Sequence, residues 1–373
     1  MDRNVEHPKV FNDPIHGTIV VHPLCVKIID TPQFQRLRYL KQLGVCYYVY
    51  PGASHNRFEH CIGVYHLAGE FVRSLRSQQP DLDITNKDVL CVQIAGLCHD
   101  LGHGPFSHMF DRVFIPNTRP DVTWTHETAS VDFFDLIAKT LKSDFDKESL
   151  EETDLIFIRE LIKGLLPTKD WQGKGRDKEK SFLYEIVANK RNQIDVDKWD
   201  YFARDCHMLG IQNNFDHVRY MKFTRVLRED DGDGQLQICA RDKEAQNMYN
   251  MFYTRYTLHR QAYQHKASKI LDVMVAEALI AADEYIKIPG TNGEDRKMSE
   301  CIDDMEAYTK LTDDVFHQIL LSKDPGLHRS QEILNRIITR KLYKCVGQSR
   351  PIKKFDVIPD KDKPHIKLYQ IQR

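Results

Sequence analysis

The sequence predicts a mainly α protein with small antiparallel β additions, and three observations carry that prediction. Apolar residues recur at helical spacing along most of the 373 residues. Alternating, strand-like runs are confined to Thr18–Val21 and to residues 223–240. No internal repeat, low-complexity tract or clean linker divides the chain.

Taken in order, residues 1–23 are polar and punctuated by Pro8, Pro14, Gly17 and Pro23, which suggests an arm laid over the core. Thr31 is an expected N-cap with Pro32 at the first helical position. Phe34, Leu37, Leu40 and Leu43 then mark one face of a helix, with Gln35, Arg38 and Gln42 on another. The turn Pro51 to Asn56 leads into a helix carrying Arg57, His60, Cys61, Val64, Ala68, Phe71 and Leu75. A third helix, apolar almost all round and therefore buried, runs from an N-cap at Thr85 through Val89, Val92, Ile94 and Leu97. Thr125-His-Glu-Thr starts another through Phe133, Phe134, Ile137 and Leu141. A Lys/Gly/Asp-rich loop occupies 167–180, and 181–209 is predicted to return to helix. Residues 223–240 form a hairpin around Asp230-Asp-Gly-Asp-Gly234, the only convincing strand pair in the middle of the chain. A long helical pattern from about Asp242 to Ile286, broken once, follows. Pro289-Gly-Thr-Asn-Gly293 is a turn, Met305 to Leu321 and Gln331 to Leu342 are helices, and from Ser349 the chain is basic with weak periodicity.

Composition narrows the function classes. With 41% hydrophobic and 29% charged residues the chain can bury a core. A net charge of -1 excludes a surface that coats polyanions, so nucleotide or nucleic-acid binding must come from local clusters. The nine cysteines contain no Cys-x-x-Cys pair and sit mostly in apolar runs, as expected of reduced thiols rather than disulfides or a zinc ribbon. No signal peptide opens the chain and no apolar run approaches a membrane span, so an intracellular protein, nuclear or cytoplasmic, with no membrane partner is expected.

The chemistry concentrates in Gly96-Leu-Cys-His-Asp-Leu-Gly-His-Gly-Pro-Phe-Ser-His108 at the end of the buried helix. His99 and Asp100 ride into the core, and a buried Asp is costly unless it is paired or metal-bound. Gly102, Gly104 and Pro105 stop the helix, so His103 and His108 are presented by backbone that can bend back over the same spot. A His-Asp dipeptide alone carries little weight, because a chain with 17 His should contain roughly one by chance. The competing reading is a set of core histidines with hydrogen-bonded tautomers. Ligands from outside this turn are available as His60 and Asp197, each on its own amphipathic helix. Two His and two carboxylates form a mixed N/O set suited to manganese, iron, zinc or magnesium. Asp197, Tyr201 and Asp205 recur at i, i+4 and i+8 with Lys198 beside them, and Arg255, His259 and Tyr263 do the same with Gln264 and Lys266 adjacent. A solvated helix face is the ordinary meaning of such a stripe. With a metal, Arg57, Lys198 and Arg255 would instead form a clamp for a polyphosphate.

Several stretches together resemble the HD-domain deoxynucleoside triphosphate triphosphohydrolases, closest to the animal form that joins a sterile alpha motif to this domain: Asn12-Asp-Pro-Ile-His-Gly17, Ile29 to Arg38, Ser54-His-Asn-Arg-Phe-Glu-His60, His99-Asp100, Asp195 to Asp205, and His259-Arg-Gln-Ala-Tyr-Gln-His265. The resemblance covers roughly residues 9 to 350. It implies an HD helical core over 24–270, an arm over 1–23 serving assembly and regulation, and a smaller C-terminal α/β region over 271–373. No sterile alpha motif precedes residue 9 and the family's C-terminal lobe is missing, so an isolated catalytic core or a short form is expected.

The resemblance also implies roles. His60, His99, Asp100 and Asp197 match metal ligands. His126, with His108, Asp111 and Arg57, matches the catalytic groups, His126 as general acid. Arg57, His103, His108, Lys198, Tyr201 and Arg255 match contacts to the triphosphate, which would carry magnesium. Gln42, Leu43, Asp205, Tyr263 and Gln264 match the pocket around sugar and base, where Leu43 and Tyr263 leave no room for a 2′-hydroxyl. Lys9, Asp30, Gln35, Arg38 and Arg340 match a GTP or dGTP site: a base lying across this turn could give two N–H groups to Asp30 and accept from Arg38, a pattern only guanine offers. Asn12, Val49, Arg219, Arg241, Lys243, Asn247, His265 and Lys266 match a site for an activating dNTP. In the family these residues come from different subunits, so a homo-oligomer growing from dimer to tetramer is implied, as are control of dNTP levels and antiviral defence. The rivals are an HD-type phosphohydrolase of cyclic nucleotides or (p)ppGpp, and a single-stranded nucleic-acid binding module with vestigial catalysis.

Overall fold

The computed structural model describes residues 8–168, 170–228 and 234–347. Residues 1–342 form one compact unit, and 343–373 form a second of which only the first few residues are described. The fold is mainly helical with three small antiparallel hairpins, as the periodicity predicts.

The chain opens on a hairpin of β1 (Lys9–Asp13) and β2 (Gly17–Val21), paired in register from Lys9 opposite Val21 to Asp13 opposite Gly17. Asp13 makes this turn, its Oδ1 accepting from the backbone N–H groups of Ile15 and His16 at 2.9 Å each. Two short helices follow, α1 (Pro23–Ile29) and α2 (Pro32–Gln35). Thr31 caps α2 as predicted, but the helix does not run on to Leu43. After one turn it tightens into a 3₁₀ segment at Arg36–Tyr39 and ends at Leu40 in extended conformation. The cause is Arg36, whose guanidinium is drawn into the core to donate to the carbonyls of Leu101, His103 and Leu311 at 2.9 Å each. Apolar periodicity cannot reveal a buried arginine that binds loop carbonyls.

The centre is the packed pair α3 (Arg57–Gln78) and α4 (Asn86–Cys98). Every residue of α4 from Asp88 to Cys98 is buried. Thr85 caps its N-terminus, with Asp88 returning the bond to the Thr85 N–H at 3.0 Å. Gly96 allows the approach, since a Cβ there would lie 3.1 Å from the Val64 carbonyl. Around this pair stand α5 (Ile115–Thr118), α6 (His126–Thr140), capped by Thr125 as predicted, α7 (Lys142–Lys147) and α8 (Glu152–Lys163).

The predicted return to helix over 181–209 is only half right. Residues 178–185 are 3₁₀, and helix proper begins at α9 (Val196–Leu209). Asn189 and Asp195 interrupt it: the Asn189 Oδ1 accepts from the N–H groups of Arg191 and Asn192, while Asp195 caps α9 through Lys198 N–H. Then come α10 (His217–Lys222) and the predicted middle hairpin, β3 (Thr224–Arg228) with β4 (Leu236–Ala240). Most of its predicted turn, 230–233, lies outside the described residues, as does everything from residue 348 on.

The long helical pattern is broken once, as expected: α11 (Ala245–Leu258) passes through a π-turn at His259–Tyr263 before α12 (Lys266–Ala282). A π-turn shifts the register of the residues after it and is common at functional sites. A third hairpin, β5 (Lys287–Pro289) with β6 (Asp295–Lys297), surrounds the predicted Gly290–Gly293 turn. The helix predicted over 305–321 is two, α13 (Met305–Lys310) and α14 (Val315–Leu321). Asp313 separates them because its carboxylate accepts from the backbone of Lys41 at 2.8 Å and Phe106 at 2.7 Å. The last helix, α15 (His328–Ile338), starts earlier and stops sooner than Gln331 to Leu342. Two wide aromatic clusters anchor the unit: Phe71, Phe215 and Tyr220 around Trp199, and Phe110, Trp124 and Phe133 around Tyr308. Among the described residues no cysteine forms a disulfide bond. Among the described residues no helix is long and apolar enough to cross a membrane.

Candidate metal centre and substrate pocket

The end of α4, the start of α3 and the start of α9 bring His99, His60 and Asp197 to one point. His60 is fully buried, and its Nδ1–H donates to Asp200 Oδ2 at 2.7 Å. His99 Nδ1–H donates to the Gly96 carbonyl at 2.9 Å. Each bond fixes its tautomer, leaving the Nε2 lone pair free and buried; neither Nε2 has a hydrogen-bond partner. Both point at Asp197 Oδ1, 3.2 Å from His60 Nε2 and 3.4 Å from His99 Nε2. These three residues each bring one ligand atom to a common point; Asp100 stands beside them with two different oxygens, Oδ2 at 3.6 Å from His60 Nε2 and Oδ1 at 3.4 Å from His99 Nε2. Donors about 2.1 Å from one ion stand about 3.0–3.4 Å apart at octahedral and tetrahedral angles, so this spacing fits a divalent cation.

Electrostatics point the same way. Burial opposes protonation of His60, yet Asp197, Asp200 and Asp100 push its pKa up to about 10. Burial likewise opposes ionisation of Asp197, and the adjacent His60 and His99 imidazoles hold it well below the usual carboxylate range. Arg57 and Arg204 offset Asp100 and Asp200, and with neutral imidazoles the Asp197 charge is left for a cation to meet.

Beside it lies a second group. His126, the first residue of α6, donates from Nδ1 to Asp111 Oδ2 at 2.7 Å, and His108 Nδ1 stands 3.5 Å from the same oxygen. Burial works against the Asp111 charge, and the bonds from His108 and His126 overcome it. His103 stacks on His126 with ring centroids 3.8 Å apart and 20° between planes. His103, His108, Asp111 and His126 each bring one ligand atom within 4.8 Å of the others, a spacing that could hold an ion, but His126 Nδ1 is engaged with Asp111 and the stacked His103 and His126 rings direct their in-plane lone pairs nearly parallel, which suits a proton relay better. Burial, followed by Arg57 and His126, drives the His103 pKa well down, so that its imidazole is neutral.

Arg57 donates to Asp100, to Ser107 Oγ at 3.1 Å and to the Gln42 carbonyl at 3.4 Å. Lys198 Nζ lies 3.1 Å from both Asp195 oxygens, and Arg255 Nη1 donates to Gln193 Oε1 at 2.9 Å. Further along α9, Asp205 is held at both oxygens, by His55 Nε2 at 2.6 Å and Tyr263 OH at 2.5 Å. Leu43 and Tyr263 pack on one small cluster of Cys46, Ala53 and Ala262. Gln42 is buried with its Oε1 unpartnered, Tyr201 stacks edge-on with Phe202, and Gln264 ends the π-turn by donating to the His259 carbonyl.

The regulatory candidates fall in separate surface groups. Arg38 Nε donates to Gln35 Oε1 at 2.8 Å and lies over the Phe58 ring, and Asp30 caps the end of α1. Lys9 covers Phe11 on β1, and Arg340 donates to the Tyr48 carbonyl. Arg219, Arg241 and Lys243 gather at the Phe223 ring, at 4.8, 6.0 and 3.5 Å, and Asn247 bonds Glu244 next to them. His265 caps α12, whose first residue is Lys266, and faces Tyr50. Asn12 lies on β1 and Val49 at the end of a 3₁₀ turn.

Sequence reasoning missed Asp200, Arg204, His16, Asp13, His55, Asp195 and Gln193, which hold His60, Asp205, Lys198 and Arg255 directly or through one another. Asp200 was findable, one turn after Asp197 on a face directed inward.

Comparison with known proteins adds an independent line. The HD domain pattern matches residues 57–205, from Arg57 to Asp205. The chain is 59% identical to the human protein named deoxynucleoside triphosphate triphosphohydrolase SAMHD1, over 93% of this chain and 56% of that one. It is 54% identical to the chicken protein of the same name, over 96% and 62%. A putative HD domain-containing protein of Acanthamoeba polyphaga mimivirus is 34% identical over 92% of this chain and 74% of its own length. The chain therefore spans somewhat more than half the length of the SAMHD1 proteins it matches.

Proposed function

The chain belongs to the HD-domain family, and from that premise we propose that it is a metal-dependent triphosphohydrolase converting a dNTP and water into a deoxynucleoside and inorganic triphosphate. The observation that carries the proposal is the pair of buried, tautomer-fixed Nε2 lone pairs converging on Asp197 and Asp100, with Arg57 and the His126–Asp111 pair alongside. The names of the relatives support the same reading.

His60, His99, Asp100 and Asp197 would hold the divalent ion, which when bound acidifies water and polarises a phosphoryl oxygen. Arg57, Lys198 and Arg255 offset charge on the triphosphate, which enters with magnesium on its outer phosphates. His126, oriented by Asp111, protonates the departing 5′-oxygen, and His103, His108 and Tyr201 line the path of the phosphates. Gln42, Leu43, Asp205, Tyr263 and Gln264 enclose the sugar and base; His55 and Tyr263 each take one lone pair of Asp205, leaving one on each oxygen to accept from a sugar hydroxyl. Two readings extend this one. GTP or dGTP at Lys9, Asp30, Gln35, Arg38 and Arg340, with a dNTP at the Phe223 cations and Asn12, Val49, His265 and Lys266, would activate the enzyme by joining copies of the chain. Control of nucleotide pools in the nucleus or cytoplasm, and through it restriction of viruses, would follow.

Incubation with dGTP and a divalent metal, with GTP in parallel, tests the proposal by ion-exchange separation of products. Deoxyguanosine and triphosphate from dGTP, with little turnover of GTP, are expected. Diphosphate release or cyclic-nucleotide cleavage would indicate a different phosphohydrolase, and no turnover with salt-sensitive RNA binding a nucleic-acid module.

A further inference from the structure

The Asp13–Gly17 turn of the N-terminal hairpin reaches the interior beneath the metal ligands. His16 has a side chain only 3% exposed, and its Nε2 bonds Asp200 Oδ1 at 2.7 Å. Asp200, fully buried, is the carboxylate that fixes the tautomer and direction of His60. Its surroundings close completely: Oδ1 accepts from His16 Nε2 and Arg204 Nη2, and Oδ2 from His60 Nδ1 and Arg204 Nε. Two oxygens with two donors each fill every lone pair. The remaining arm of Arg204 returns to the turn, Nη1 donating to Asp13 Oδ2 at 2.9 Å, while Asp13 Oδ1 holds the backbone N–H groups that place His16. The fit is tight on the far side, where a Cβ on Gly63 would fall 1.9 Å from Asp200 Oδ1.

We propose that this turn is an integral part of the metal centre: Asp13 and His16, nearly two hundred residues before Asp200 in the chain, are positioning residues that hold Asp200, and through it His60, in the ligating orientation. The inference rests on the metal reading of His60, His99, Asp100 and Asp197. Physically, removing the His16 donor strands a lone pair of a buried carboxylate. Asp200 then turns or takes up water, and His60 Nε2 is no longer fixed. Groups that orient metal-bound imidazoles typically change metal affinity 10- to 100-fold when removed. The turn therefore acts on the ion from a part of the sequence that contributes no ligand.

The test is metal affinity, measured on the full chain by competition with a chromogenic chelator for zinc and manganese, with thermal unfolding of the metal-free protein as the folding control. His16→Leu, which keeps bulk and loses the donor, should weaken metal binding about 10- to 100-fold at little change in metal-free unfolding temperature. His16→Gln, whose amide reaches the same place as the imidazole Nε2, should restore most of the affinity. Asp13→Asn, which keeps an acceptor for the turn but loses the charge facing Arg204, should fall between them and serves if His16→Leu folds poorly. Wild-type affinity in both His16→Leu and Asp13→Asn, with His99→Ala losing the metal, would overturn the inference and leave the metal centre standing. Metal retained in His99→Ala would overturn the metal reading itself.

Discussion

Asp100 and His126 sit one bond network apart and are assigned opposite duties. Asp100 faces His60 and His99 and is paired by Arg57, whereas His126 faces Asp111. His99→Ala should therefore lose metal and turnover together, because an incomplete buried shell is left. His126→Ala should keep the metal and slow turnover by about 10²- to 10⁴-fold, the usual range for a general acid. Metal analysis beside single-turnover rates separates the two, and equal metal loss in both would show His126 to be a ligand. A second residue, Glu185, carries a pH signature away from the site. Burial pushes its carboxyl up to about 7 although Arg191 stands 3.3 Å away. With a folded pKa above the unfolded value, the folded state binds the proton more tightly, so stability from this group is complete below about pH 4 and is lost as pH rises to about 7. Denaturant unfolding of wild type should weaken across that window, by at most about 4 kcal/mol from this group, and Glu185→Gln should flatten the slope. An unchanged slope would mean that Glu185 stays ionised.

The short turn between the 3₁₀ segment and α9 holds Lys198 and Arg255, two of the cations proposed to clamp the phosphates. Asp195 holds Lys198, and Gln193 holds Arg255. Gln193 does so with φ at 63°, a left-handed conformation that glycine adopts freely and other residues at a cost of about 1 kcal/mol. Gln193→Gly relieves the backbone and removes the bond to Arg255. Fixing a long side chain in advance is worth about 0.5–1.5 kcal/mol, so KM for dNTP should rise about two- to tenfold with stability within about 1 kcal/mol of wild type. In an Arg255→Ala background the same change should do nothing further; an additive rise in KM would place the effect of Gln193 elsewhere. At this scale the sequence was legible where an element is made by its own residues. Thr85, Thr125 and the π-interrupted long helix follow from caps and periodicity. Elements broken by a distant partner were not legible: Arg36 binds loop carbonyls far along the chain, and Asp313 binds Lys41 and Phe106, neither of which leaves a local mark. The same holds for the site: His60, His99 and Asp197 stand out as residue types at inward positions, whereas His16 and His55 gain meaning only through Asp200 and Asp205 across the fold.

For the molecule as a whole, the proposed regulatory residues lie on the surface in groups that touch none of the metal ligands in the hydrogen bonds of the described residues, while the catalytic groups meet at the buried end of α4. Three cations share one aromatic ring, with Arg219 already paired to Glu244 Oε1 at 2.9 Å, and an anionic ligand would relieve the repulsion that remains. If such ligands join copies of the chain, occupancy and assembly are linked and each favours the other. Light scattering and dTTP hydrolysis should then both rise when GTP is added to wild type, and GTP should lose its effect in Asp30→Ala. Equal basal and GTP-stimulated rates in wild type would remove the regulatory reading without touching the catalytic one. The central claim, attack at the α-phosphorus with release of the whole triphosphate, is tested most directly by hydrolysing dGTP in ¹⁸O-labelled water and weighing both products by mass spectrometry. One ¹⁸O should appear in the triphosphate and none in the deoxyguanosine, and His99→Ala should abolish the reaction. Label in the deoxyguanosine, or a product pair of dGMP and diphosphate, would contradict that claim.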